Sequence, residues 1–226
     1  MARSVIVTGG FGVLGQAVAE AFAAAGDKVA RIDFAGQASR TLDGVLDLGG
    51  IDLTDEQATQ GAINQVVTAH EAIDILVNVA GGFTWEPLES GSIATFSKMH
   101  AMNLLTNATI TQIALPELKR SAAGRVVNIG AGGAVNAGMG MAAYAASKSG
   151  VHRLTEALAA ELAGTSVTVN AVLPSIIDTP TNRADMPDAD TSTWVSPDAI
   201  AKVILLLASV DAGAVSGALI PVSRGG

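Results

Sequence analysis

Thr8-Gly9-Gly10-Phe11-Gly12-Val13-Leu14-Gly15 decides the fold of this 226-residue chain. The apolar run Ser4–Thr8 comes before it, and a helical pattern follows, with Leu14, Val18 and Phe22 spaced by four. A strand that turns through glycines into a helix lets the backbone approach a ligand closely. It also offers the free N–H groups of the helix start to a pyrophosphate. Three glycines at this spacing are a weak signal alone, and the strand–turn–helix context strengthens it.

The same alternation continues along the chain. Short apolar runs predict strands at Ser4–Thr8, Lys28–Asp33, Val45–Leu48, Ile73–Asn78, Arg125–Ile129, Ser166–Val172 and Ala218–Val222. They are continuous rather than alternating, as strands covered on both faces read. Helices are expected over about Val13–Ala25, Thr54–His70, Ile93–Lys119 and Ala142–Leu162, and after Pro197 with Ser196 as N-cap. Strands alternating with helices imply an α/β fold: a single-domain, Rossmann-like, doubly wound parallel sheet with helices on both faces. Residues 1–226 read as one domain. Leu173–Val195, with Pro174, Pro180 and Pro187, shows no periodicity and reads as a mobile surface loop; a substrate loop is expected over about 174–196. Leu105, Ile110, Ile113 and Leu118 on the long helix suit either a partner interface or the sheet.

Composition removes several function classes. The absence of cysteine excludes disulfides and thiolate metal sites, and His70, His100 and His152 are too dispersed for a local cluster. No metal is expected. A net charge of −8 argues against nucleic acid as partner. No apolar run approaches the ~18 residues of a membrane span, and Val5-Ile6-Val7 is too short for a signal core. A cytoplasmic protein acting on a small-molecule substrate, away from membranes, is the expectation.

Asp33 ends the second strand, 18 residues after Gly15. A carboxylate there accepts ribose hydroxyls and repels a 2′-phosphate, which favours NAD(H) over NADP(H); Arg31 nearby points the other way. Tyr144, the only tyrosine, lies four residues before Lys148 at the start of a helix. Residues so spaced share a face. A phenol whose pKa is lowered by a neighbouring cation can exchange a proton near neutral pH.

Together these pieces resemble the short-chain dehydrogenase/reductase family. The resemblance runs over nearly the whole chain through Thr8–Gly15, Asp33, Asp52-Leu53, Asn78-Val79-Ala80-Gly81, Asn103, Tyr144 with Lys148, Pro174 and Thr179. It implies an NAD(P)-dependent oxidoreductase with about seven parallel strands, forming homodimers or homotetramers. It makes Tyr144 the general acid in reduction. Lys148 would hold the nicotinamide ribose and depress the Tyr144 pKa, and Asn103 would hold a relay water. The glycine-loop residues Gly9, Phe11, Gly12, Val13, Leu14 and Gly15 would bind the pyrophosphate side. Asp52 and Leu53 would contact adenine; Asn78, Ala80 and Gly81 would line the cofactor edge; Thr179 would bind the carboxamide, with Pro174 and Ile177 nearby.

Three positions depart from the family pattern. Val13 stands where glycine is usual, Val79 replaces an asparagine, and the usual catalytic serine, thirteen residues before Tyr144, is Ala131. That serine donates to a substrate carbonyl, and losing such a donor costs ~10²–10³ in rate. Asn136 and Ser175 are candidate replacements. The dihydropteridine reductases are a branch that also lacks it. The chain resembles them in Gly9–Gly15, in Val79-Ala80-Gly81-Gly82-Phe83, and in Asp178-Thr179-Pro180-Thr181-Asn182-Arg183 with Met186–Asp190 and Trp194. A quinonoid dihydropterin is an electron-poor conjugated ring that needs little carbonyl polarisation, and Phe83, Trp85, Met139 and Trp194 would flank it. Tyr144–Leu173, by contrast, resembles bacterial carbonyl reductases, which keeps a carbonyl/alcohol oxidoreductase open as an alternative. A non-catalytic NAD-binding regulator is the third reading.

Overall fold

The computed structural model describes residues 2–224. Seven parallel strands form one sheet in the order β3-β2-β1-β4-β5-β6-β7. They are β1 (Ser4–Thr8), β2 (Lys28–Ile32), β3 (Leu46–Leu48), β4 (Ile75–Asn78), β5 (Arg125–Ile129), β6 (Thr168–Pro174) and β7 (Leu219–Val222). The order reverses between β1 and β4, so a crevice opens above their C-terminal ends, where the glycine loop and Asn78–Gly81 meet.

Helices α1 (Val13–Ala24) and α7 (Pro197–Leu207) cover one face. Beneath them lie Val5, Val7, Leu14, Phe22, Ile75, Ile200 and Ile204. On the other face, Ile6, Ile32, Ile63, Leu76, Ile110, Leu118 and Leu158 pack under α2 (Glu56–His70), α4 (Thr106–Arg120) and α5 (Ala142–Glu161). Caps fix where helices begin. Asp55 accepts from the N–H groups of Gln57 and Ala58 at α2, and Ser196 from that of Ala199 ahead of Pro197 at α7. No helix among the described residues is long and apolar enough to cross a membrane.

Two sequence expectations are corrected. The single long helix is three pieces: α3 (Ile93–His100), a π-helical turn (Ala101–Leu105) and α4. The wider turn centres on buried Asn103, and such insertions gather at functional sites. On this stretch Ile110 and Leu118 are buried, Ile113 packs against the core, and Leu105 is exposed. Residues 174–195 are not a patternless loop. They contain α6 (Pro180–Asp185), a 3₁₀ turn (Thr191–Thr193) and a bridge between Ile177 and Val195. Thr179 caps α6, Asn182 Nδ2 donates to Ile177 O at 2.8 Å, and Arg183 pairs with both oxygens of Asp178. Local side-chain bonds hold this segment, so apolar periodicity could not reveal it.

Candidate active site

The glycine loop is shaped by close approach. Gly9 adopts φ +60°, and a Cβ there would lie 2.9 Å from the Ala80 backbone. A Cβ on Gly15 would lie 2.1 Å from Gly9 O, so α1 begins directly against the loop. No side chain caps α1 at Gly12. The loop backbone and the first turn of α1 therefore suit a pyrophosphate. Leu14 belongs to the core and Val13 is exposed, so of these two residues the buried Leu14 side chain is not available to a ligand, only its backbone. Phe11 N–H donates to Asp33 Oδ2 at 2.9 Å, and Ala35 N–H to Oδ1 at 2.9 Å. That ties the carboxylate to the rim where an adenosine ribose would sit.

Farther along the crevice, Asp52 Oδ1 accepts from the Thr54 N–H and hydroxyl, which holds its carboxyl below the usual carboxylate range. Its other oxygen suits an exocyclic amine. Leu53 is buried in the core, so only its backbone can meet adenine. Asn78 is a correction. Its amide lies inside the sheet and donates to Thr111 Oγ1, Asn128 Oδ1 and Asn107 Oδ1 at 3.0, 2.9 and 3.3 Å. A buried amide is costly unless paired, and these bonds hold Nδ2 inside the sheet, while Oδ1 is buried without a partner among the described residues. Ala80 and Gly81 remain at that edge: Ala80 N–H donates to Thr8 Oγ1 at 3.0 Å, and the bare face of Gly81 looks toward Asn103 and Lys148.

Asn103 clasps Gly82 from both sides: Oδ1 accepts from Gly82 N at 2.8 Å, and Nδ2 donates to Gly82 O at 3.1 Å. Nδ2 also donates to Ser147 Oγ at 2.9 Å, and that hydroxyl donates to Tyr144 O at 2.7 Å. The side chain is therefore engaged in fixing the Gly82 turn against α5.

Tyr144 and Lys148 sit one turn apart on α5. The Lys148 ammonium is buried and donates to Ile129 O at 2.8 Å. The Tyr144 ring meets Phe83 edge-on, with centroids 4.8 Å apart. Burial pushes the Tyr144 phenol up to about 12 and the Lys148 ammonium down to about 8. Lys148 does not lower the phenol in this arrangement. The ammonium is turned to the β5 carbonyl, and desolvation dominates the phenol.

Behind them stands a residue that sequence reading passed over. His152, one further turn along α5, is buried, and its Nε2 accepts from Ala131 N–H at 3.2 Å. A Cβ on Gly130 would lie 2.5 Å from that nitrogen, so the glycine leaves room for the ring. Burial, then the charges of Arg153 and Lys148, lower its pKa, against a smaller opposing pull from Glu156. The signal was present as Tyr144, Lys148 and His152 at successive spacings of four.

Of the expected substrate residues, Phe83, Trp85 and Met139 are exposed, whereas Trp194 is buried at 4%. Trp194 is a correction: the 3₁₀ turn at Thr191–Thr193 folds it inward. The Trp85 indole lies against Gly140, and Glu86 N–H donates to Gly140 O at 2.7 Å, which clamps the two loops together. Pro174 ends β6, Ile177 packs on the core, and Thr179 Oγ1 is occupied as the α6 cap, leaving its O–H to donate. Asn136 and Ser175 are exposed.

Known proteins agree with this geometry. A family described as short chain dehydrogenase matches residues 3–190. The 3-oxoacyl-(acyl-carrier-protein) reductase MabA of Mycobacterium tuberculosis is 35% identical across 100% of this chain and 93% of its own. The 7alpha-hydroxysteroid dehydrogenase of Escherichia coli K12 is 28% identical across 99% of this chain and 94% of its own. The ligand-free aldohexose dehydrogenase of Thermoplasma acidophilum superposes with a TM-score of 0.88 at 26% identity, covering 98% of this chain and 92% of that one. The chain is an oxidoreductase and belongs to the short-chain dehydrogenase family.

Proposed function

We propose that the chain is an NADH-dependent reductase of a conjugated heterocycle, of the kind a quinonoid dihydropterin represents. One observation carries the reading. The turn Gly132–Ala134 and Ala131 before it, packed at the start of α5, hold no side-chain hydroxyl, and the Ala131 N–H is already given to His152. A carbonyl oxygen would find no side-chain hydroxyl there to pair with Tyr144. A ring that is already electron-poor needs none.

The bound reduced nicotinamide would supply the hydride. The chain's part is to supply the proton and the slot. The Tyr144 phenol, held near 12, keeps its proton at neutral pH and can give it to a ring nitrogen as hydride arrives, so two electrons and two hydrogens reach the substrate. Phe83, Trp85 and Met139 form an exposed apolar rim suited to a flat ring. Lys148 would clamp the nicotinamide ribose, and Asp33 would accept the adenosine ribose hydroxyls, which supports NADH over NADPH.

A second reading is a carbonyl/alcohol oxidoreductase in which exposed Asn136 or Ser175 polarises the substrate. It is favoured by relatives named for 3-oxoacyl and hydroxysteroid substrates. The test is NADH oxidation against a quinonoid dihydropterin, 3-oxoacyl thioesters, a steroid ketone and simple ketones. The proposal expects turnover with the dihydropterin; turnover with carbonyl compounds alone overturns it in favour of the second reading.

A further inference from the structure

Arg31 is among the largest fully buried side chains, and the mechanism makes no use of it. It sits opposite Asp47 across neighbouring strands β2 and β3. Arg31 Nε donates to Asp47 Oδ1 at 2.8 Å and Nη2 to Oδ2 at 2.7 Å, a bidentate pair. Two further bonds run from Nη2 to Arg40 O at 3.0 Å and from Nη1 to Gly10 O at 3.4 Å. The Phe11 ring covers the guanidinium 5.2 Å from its centroid.

The consequence lies at the ribose rim. Beside Phe11 is a cleft of about 320 Å³ bordered by Gly36, Gln37, Ala38, Thr41 and Asp47. Asp33 stands at its edge through its bond to Phe11 N–H. The Arg31 side chain is 0% exposed, whereas that of Asp47 is 26% exposed. A cation two residues from Asp33 and in contact with the glycine loop is thus withdrawn, and a carboxylate shows in its place. A phosphate on the ribose carries about two negative charges at neutral pH and is matched by the planar fork of an arginine. Here the fork is filled.

We propose that Asp47 is a specificity-determining residue. By holding Arg31 in a buried bidentate pair beneath Phe11, it keeps that guanidinium from a 2′-phosphate and restricts the site to the unphosphorylated dinucleotide. The inference rests on reading the glycine loop as an NADH site and adds to Asp33 a second, separable determinant. Arg40, at the same rim, pairs with Glu20 at the surface, where such pairs restrain little. Freed Arg31, not Arg40, is the residue the proposal requires.

The test is direct titration of NADH and NADPH, read by nicotinamide fluorescence, which needs no substrate. Wild-type protein binds NADH more tightly; equal affinity for the two would remove the reading beneath this inference. In Asp47→Asn, affinity for NADPH relative to NADH rises about tenfold or more, the low end for one charge-assisted bond to a phosphate. In Phe11→Ser, which uncovers the guanidinium, the ratio moves the same way. The double variant Asp47→Asn/Arg31→Gln loses the gain. Circular dichroism identifies which variants fold. A wild-type ratio in folded Asp47→Asn, or in folded Phe11→Ser should Asp47→Asn not fold, overturns the proposal. So does a gain that survives in the double variant.

Discussion

Lys148→Met is expected to make the protein more stable and inactive. The ammonium is buried, and its pKa falls from 10.5 to about 8, a penalty of about 3 kcal/mol against the charged form at neutral pH. Methionine keeps the length and removes the charge. The substitution forfeits the charge-assisted bond to Ile129 O, worth about 1.5–3 kcal/mol. The net gain is then up to about 1.5 kcal/mol, or up to roughly 6 °C in Tm for a domain of this size. The sign with pH follows from proton counts. Between about 8 and 10.5 the unfolded lysine holds its proton and the folded one does not, so wild-type stability rises with pH through that window. Urea denaturation at pH 7, 8, 9 and 10 reads both effects. The Met variant starts higher and lacks the rise. A variant less stable than wild type at pH 7, or one that keeps the wild-type slope, would refute the assignment of a desolvated ammonium held for function.

Other outcomes follow from neighbouring groups. Tyr144→Phe should still bind NADH, because the ribose clamp stays, and lose most turnover, because the proton donor is gone; unchanged kcat removes Tyr144 from the mechanism. His152→Leu leaves the Ala131 N–H buried without its acceptor and should cost about 1–3 kcal/mol, with His152→Gln recovering part of it in denaturant midpoints. His70 and His152 both have pKa values lowered from 6.5 by burial. As pH falls below 6.5 the unfolded chain takes up protons that the folded chain refuses, so stability declines. A flat denaturation midpoint from pH 7 to 5 would contradict this.

The glycine turn and the alternation of apolar runs made the parallel sheet legible, because strands covered on both faces leave continuous runs such as Ile75–Asn78 and Arg125–Ile129. What stayed hidden depended on which way a side chain turns. Asn78 and Trp194 read as site residues from their neighbours in sequence, yet the first donates its Nδ2 into a buried amide network and the second is buried beside a 3₁₀ turn. The π-helical turn at Asn103 divides what read as one continuous helix from Ile93 onward. Arg31 looked like a candidate phosphate ligand, since its partner Asp47 lies sixteen residues away and meets it only through strand pairing. Ala131 was legible as a missing hydroxyl. That His152 takes its N–H as well shows only in the folded chain.

The central claim is that this site works without a second hydroxyl donor beside Tyr144, at Ala131, because its substrate needs none. Ala131→Ser tests it most directly, with kcat/KM for NADH-driven reduction measured on a quinonoid dihydropterin and on a ketone. The account predicts that the new hydroxyl raises ketone turnover tenfold or more, within the ~10²–10³ such a donor is worth, and leaves dihydropterin turnover within about twofold. An equal rise for both substrates, or dihydropterin turnover absent in the wild type, would contradict it.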